Sequence, residues 1–200
     1  MKILALELST ARGSLAWLDD HSDDFTREWP NDRKNSALFF ENLDAVTEKF
    51  GAPHTIIVGL GPGSYAGTRI AISAAIGLQI SSSARLIGFA SISAMECNEN
   101  EYCVIGDARR KSFFFARVRS NNPIEGPTLL SQGELKSKLN ALKVATPVFS
   151  SDSLPQFGTA VRRFPSALVL ARVARDPQRS FFFPPLEPIY LREPHITMPK

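Results

Sequence analysis

The 200-residue chain reads as an α/β protein built from two copies of one unit, the second shorter than the first. Three observations predict this. Short β-branched apolar runs alternate with longer stretches of helical period. The order strand, strand, strand, helix, strand, helix occurs twice. The halves also carry opposite charge, −5 over residues 1–106 and +8 over residues 107–200, as expected of two domains with different neighbours. A hydrophobic content of 44% is what a packed core needs, and the length suits one large domain or two small ones. The expected division is an amino-terminal domain over residues 1–100 and a smaller basic one over 101–200.

Period and punctuation place the first elements. Ile3 to Leu8 is a nearly continuous apolar run, as expected of a strand buried on both faces. Ser9 to Gly13 turns the chain into a second strand, Ser14 to Leu18. Beyond the acidic loop Asp19 to Asp24, Phe25 to Trp29 is an edge strand stopped by Pro30. From Ser36 the period becomes helical: Phe39, Leu43, Val46 and Phe50 form a stripe, with Asn35 or Ser36 to cap it and Gly51 and Pro53 to end it. Leu38 and Phe40 fall outside that stripe. Exposed in an isolated domain, they are read as a candidate partner surface.

His54 to Gly59 is a strand that enters the turn Leu60-Gly61-Pro62-Gly63-Ser64-Tyr65-Ala66-Gly67, and Thr68 to Ser82 is the long alanine-rich helix that leaves it. Gly61, Gly63 and Gly67 suit a backbone with positive φ that another segment approaches closely. Their spacing at positions one, three and seven misses the dinucleotide fingerprint, and Thr68-Arg69 after Gly67 misses the P-loop. A structural turn is therefore preferred over phosphate binding. On a helical wheel Ile72, Ile76 and Ile80 form one stripe, and Ala71, Ala74, Ala75 and Leu78 another. One face covers its own sheet; the other needs a second helix or a second protein.

Leu86 to Phe89 is a further strand, Ser91 to Cys97 a short connecting helix, and Asn98 to Glu101 a solvated hinge. The second copy follows. Strands Cys103 to Gly106 and Ser112 to Val118 flank the turn Asp107 to Lys111. A third strand is expected at Thr128 to Leu130, a helix at Gly133 to Leu142, a strand at Val144 to Phe149 and a helix at Ser166 to Arg175. The proline-rich Pro184 to Arg192 cannot be a helix interior and is expected to lie extended across one domain.

Several classes are disfavoured. Cys97 and Cys103 match neither a redox pair nor a zinc knuckle, and His21, His54 and His195 are scattered, so neither a metal nor a cofactor is expected. Glu7 and Arg12 interrupt the amino-terminal apolar run before it reaches signal-peptide length. No stretch reaches the roughly 18 apolar residues of a membrane span, so a cytoplasmic protein is expected.

Four ordered motifs resemble the TsaB (YeaZ) family of bacteria. Gly61-Pro62-Gly63-Ser64-Tyr65-Ala66-Gly67-Thr68-Arg69 is similar to its glycine turn and Ile3 to Thr10 to its first strand. Asp107-Ala108-Arg109-Arg110 resembles its central motif, and Glu187-Pro188-Ile189-Tyr190-Leu191-Arg192 its carboxyl-terminal one. The resemblance implies an actin/hexokinase-like (ASKHA, ribonuclease H-like) duplicated ββBαβα-type fold, and the repeated element order points to it as well. It further implies a part in forming threonylcarbamoyladenosine at position 37 of tRNAs that read codons beginning with adenosine. In that family TsaD performs the transfer from threonylcarbamoyl-adenylate, TsaC or its relatives make that adenylate, and TsaE supplies ATPase activity. TsaB pairs with TsaD through two amino-domain helices, matched here by Ser36 to Phe50 and Thr68 to Ser82.

The expectation is thus a non-catalytic scaffold with TsaD and TsaE as partners, tRNA as part of the complex, and a homodimer through the same helices when free. Its partner-binding residues would be Leu38, Phe39, Phe40, Leu43, Tyr65, Arg69, Ile72, Ile76 and Ile80. A kinase or ATPase of the same fold is the first rival. Glu7 and Asp107 stand where such enzymes hold a metal, yet neither following turn has a glycine for phosphate, and the family usually has aspartate at the place of Glu7. Hydrolase chemistry at Ser64 fails the Gly-x-Ser-x-Gly pattern because residue 66 is Ala; Ser64 is instead a helix cap. An RNA-binding module is the second rival. Arg109, Arg110, Lys111, Arg117 and Arg119 interleave with three phenylalanines, and the first three are candidate RNA or nucleotide contacts. The alternative puts the phenylalanines in the core and the charges on a solvated face.

Overall fold

The computed structural model describes residues 1–21, 23–31, 36–142 and 146–192. Each half of the chain forms a five-stranded mixed sheet. In the first, β1 (Ile3–Glu7), β2 (Arg12–Leu18) and β3 (Phe25–Pro30) are an antiparallel meander, and β4 (Thr55–Gly59) and β5 (Arg85–Phe89) add in parallel beside β1. In the second, β6 (Glu101–Asp107), β7 (Ser112–Arg119) and β8 (Asn122–Ser131) repeat the meander. β9 (Val148–Ser150) and β10 (Ala160–Arg162) add in parallel beside β6. The orders β3-β2-β1-β4-β5 and β8-β7-β6-β9-β10 are one pattern used twice, the expected duplicated actin/hexokinase-like α/β fold. Helices α1 (Ala37–Phe50) and α2 (Tyr65–Ser82) join the first copy's later strands. In the second copy α3 (Gln132–Asn140) precedes β9, and no helix separates β9 from β10.

Alternation explains why the first strand is apolar at every position. Leu4 and Leu6 face one core with Phe39, Leu43, Ala71 and Ile72 of α1 and α2. Ile3 and Ala5 face another, closed by α4 (Ala167–Val173) through Ala167, Leu170 and Ala171. That helix comes from the second half of the chain yet lies on the first sheet, where the Ala167 amide donates to Ser14 Oγ at 3.0 Å. The second sheet is also covered on both faces. Cys103, Ile105, Phe113 and Phe115 pack with Leu135 of α3, and Tyr102, Val104, Phe114, Ala116 and Val118 pack with Ile92 and Met95.

Four local readings change. β8 extends over Asn122–Ser131 rather than Thr128 to Leu130, because an irregular register against β7 near Gly126 and Pro127 carries the pairing past both prolines of this edge strand. β10 was not foreseen: three residues, largely exposed, are too few to show a period. The connecting helix shrinks to a 3-10 turn at Ser91–Ala94. Ser36 stands at the α1 cap without a side-chain capping bond, its carbonyl accepting from the Phe39 and Phe40 amides; Asn35 and residues 144–145 of the expected β9 lie outside the described residues. Among the described residues no helix is long and apolar enough to cross a membrane.

Candidate functional site

The parallel strands β1 and β4 of the first sheet and β6 and β9 of the second end around one cleft of about 230 Å³. The segments just past those ends line it: Ser9 to Ala11, Pro62 to Tyr65, Asp107 to Arg109, and Ser151 with Asp152. In open α/β sheets the carboxyl ends of parallel strands are where ligands bind, so this is where chemistry would sit.

The glycines of the turn aim their Cβ positions at the chain's own backbone rather than the cleft. A Cβ on Gly63 would lie 2.0 Å from the Ser9 carbonyl oxygen, and one on Gly67 would lie 2.1 Å from the Leu8 carbonyl oxygen. The absence of side chains thus lets the turn close on the chain's own β1–β2 backbone, where the Ser64 amide donates to the Ser9 carbonyl at 2.5 Å. Gly61 has a φ of +87°, which glycine adopts without strain. Ser64 is the α2 cap, its Oγ accepting from the Gly67 amide at 3.3 Å; the helix starts at Tyr65, three residues before the reading from sequence.

The two acidic residues differ. Glu7 is fully buried and accepts the Ser9 amide at 2.7 Å, while its Oε2 has no hydrogen-bond partner. Burial pushes its carboxyl above the usual carboxylate range, against the opposing pull of the neighbouring Ser9 and Ser91. A fully buried carboxyl that does not line the cleft is poorly placed to hold a metal there. Asp107 is partly exposed, accepts the Arg109 amide at 2.7 Å and pairs with the Arg109 guanidinium at 3.2 Å. Its own amide donates to Asp152, which sequence reasoning missed; the turn-forming run Ser150-Ser151-Asp152 at a strand end was the available signal. Among the described residues no group of three or more histidine, cysteine or acidic side chains could hold a metal ion.

The basic hairpin splits in two. Arg109, Arg110 and Lys111 are exposed at the β6–β7 turn, all with positive φ. Phe113, Phe114 and Phe115 are buried, on alternate faces of β7, so they offer no base a stacking platform. Arg117 and Arg119 both pair with Glu101, which lowers the Glu101 carboxyl's pKa. Of the other basic residues, Arg172 and Arg175 pair with Asp24 and Asp20, and Arg179 with Asp176. Arg162 lies over the Phe164 ring.

The expected partner-binding residues divide as well. Phe39, Leu43 and Ile72 are buried in the core beneath their own helices, which removes them from any docking surface. Leu38, Phe40, Tyr65, Ile76 and Ile80 are 43, 44, 51, 41 and 79% exposed, and Arg69, also exposed, donates to the Tyr65 hydroxyl. The reason lies in the helix pitch. Residues four apart advance about 40° around the axis, so the stripe drifts from buried Ile72 to half-exposed Ile76 to open Ile80. α1 and α2 both cover one face of the first sheet, leaving their outer sides to solvent.

Residues 38–141 match the family model of TsaD, tRNA N6-adenosine threonylcarbamoyltransferase. The chain belongs to that family. Two solved structures place its fold with YeaZ. One is a Pseudomonas aeruginosa protein described by its similarity to the peptidase YeaZ: 18% identical, TM-score 0.74, covering 96% of this chain and 99% of the other. The second is YeaZ from Pseudomonas aeruginosa: 18% identical, TM-score 0.69, covering 87% and 91%. Among curated proteins none matches. The resemblance to the TsaB (YeaZ) family read from the four motifs is borne out, in a chain of the TsaD family with a YeaZ-like fold.

Proposed function

We propose that this member of the TsaD family is a non-catalytic, cytoplasmic scaffold in tRNA N6-adenosine threonylcarbamoyl modification. It docks a TsaD subunit on the outer sides of α1 and α2 and, with that subunit, engages TsaE and tRNA. The observation that carries the reading is the isoleucine stripe of α2, which leaves Ile76 and Ile80 exposed along a helix whose starting glycine turn is packed against its own chain's backbone. Exposed apolar side chains on one helical layer favour a protein partner. The sealed Glu7 and the turn closed over it disfavour a phosphate-handling enzyme. Binding one arrangement of TsaD more tightly than another would shift its population toward the active one.

The test is co-purification with TsaD from the same organism, using wild type and Ile76→Asp. A charge in the stripe abolishes the complex while the variant keeps its wild-type thermal midpoint. Retained binding overturns the interface. If Ile76→Asp instead changes only self-association, the same face serves a homodimer and the TsaD assignment fails.

A further inference from the structure

Two sides of the molecule join its halves differently. On one side the contacts are dense. The Glu96 amide donates to the Phe164 carbonyl and the Ser166 amide to the Ala94 carbonyl, both at 2.9 Å, and the Tyr102 hydroxyl donates to the Ile92 carbonyl at 3.1 Å. This is the crossing of residues 90–102, the natural hinge. On the cleft side, among the described residues, no hydrogen bond or ion pair joins the β1–β2 and glycine turns directly to the β6–β7 turn or the Asp152 loop.

What crosses the cleft is the carboxyl-terminal segment. Phe182 exchanges two backbone hydrogen bonds with Gly88, at 2.8 and 3.0 Å. Leu186 is then buried in the first core, at a seat a Cβ on Gly88 would crowd, 3.1 Å from Leu186 Cδ2. The Ile189 amide donates to the Leu60 carbonyl at 2.8 Å, and its side chain packs against both the first and second cores. Leu191 packs against the second core alone, and the Arg192 guanidinium reaches the Arg109 carbonyl at 3.5 Å. Residues 188–192 form one wall of the cleft. The expectation of an extended segment across one domain is therefore corrected: it is rooted in the first half and ends on the second.

We propose that residues 186–192 are a strap that sets the angle between the halves across the cleft, opposite the hinge. Its two ends are unequal. The first-half root combines a buried leucine, a seat beside Gly88 and a short backbone bond; among the described residues the second-half foothold is Leu191, the Ile189 side chain it shares with the first core, and one long bond from an arginine. Opening therefore begins at Leu191 and Arg192. Tyr190 packs at a tilt against Tyr65 at the first turn of α2, ring centres 5.5 Å apart, so anything that docks on that turn also bears on the strap. The strap stands whether or not TsaD is what docks there.

The test measures the cleft without a partner. Spin labels at Thr10→Cys and Arg110→Cys report its width by pulsed electron resonance in a Cys97→Ser background. Cys103 stays unlabelled, being buried with its thiol pushed up to about 11. The parent gives one narrow distance distribution, and adding Leu191→Ala with Arg192→Ala makes it longer and broader. Both strap residues are partly exposed, so the variant keeps its fold, checked by its thermal midpoint. An unchanged narrow distribution overturns the strap. So does a parent distribution as broad as the variant's.

Discussion

Between β4 and β5 the first half carries the 18-residue α2, whereas residues 151–159, between β9 and β10, carry no helix. Both sheets must still bury two faces. The second half closes its outer face with α3 and with Phe157, which meets Phe113 edge-on with ring centres 4.9 Å apart. A single aromatic plug stands where the first half has five turns of helix. A plug has no outer side, but a helix does. The loop that carries Phe157 consequently presents no second helical face, whereas α2 retains an unburied isoleucine stripe.

Phe157→Ala is the strongest way to break that comparison. If the ring replaces a helix, its loss opens a cavity beneath β7 and costs about 3–5 kcal/mol, read from the urea midpoint. A cost near that of a surface change would mean α3 alone closes the face.

The ends of the two first strands sharpen the contrast through pH. Glu7 is sealed, Asp107 lies at the open cleft, and burial raises the Glu7 carboxyl above 4.5. A group whose pKa is raised by folding contributes stability below its unfolded value and loses it as pH rises through the folded one. Glu7→Gln removes that loss while retaining an acceptor for the Ser9 amide. The two proteins should unfold alike below about pH 4, with the Gln variant pulling ahead as pH rises toward neutrality. Parallel pH profiles would mean that Glu7 is charged and compensated in the fold.

Much of this was legible in the sequence, for identifiable reasons. Strands buried on two faces announce themselves as unbroken apolar runs, as Ile3 to Leu8 does, and α2 is long enough for its period to be read. β10 was invisible because three edge residues have no period. The bulge in β8 was hidden because Pro123 and Pro127 argue against a strand unless pairing is irregular. At the candidate site, the glycines implied a close approach without saying what approaches; it is the Ser9 and Leu8 carbonyls. The tail was seen as extended, but which half it touches depends on Leu60 and Arg109, more than eighty residues away in the chain. The burial of Ile72 was recoverable, since a stripe at every fourth residue rotates away from its starting face.

The smallest effect is the most informative about α2. Ile80 is 79% exposed, so Ile80→Ser removes little buried surface and should change stability by no more than about 0.5 kcal/mol. A side chain that costs nothing to replace in the free protein has no folding role to explain its apolar character. Any loss it causes must then appear in association, measured as weaker TsaD capture or weaker self-association at the same protein concentration. A destabilisation comparable to that of a core residue would place Ile80 beneath a covering segment. The outer side of α2 would then be as covered as the Phe157 ring, and the contrast between the two connections would vanish.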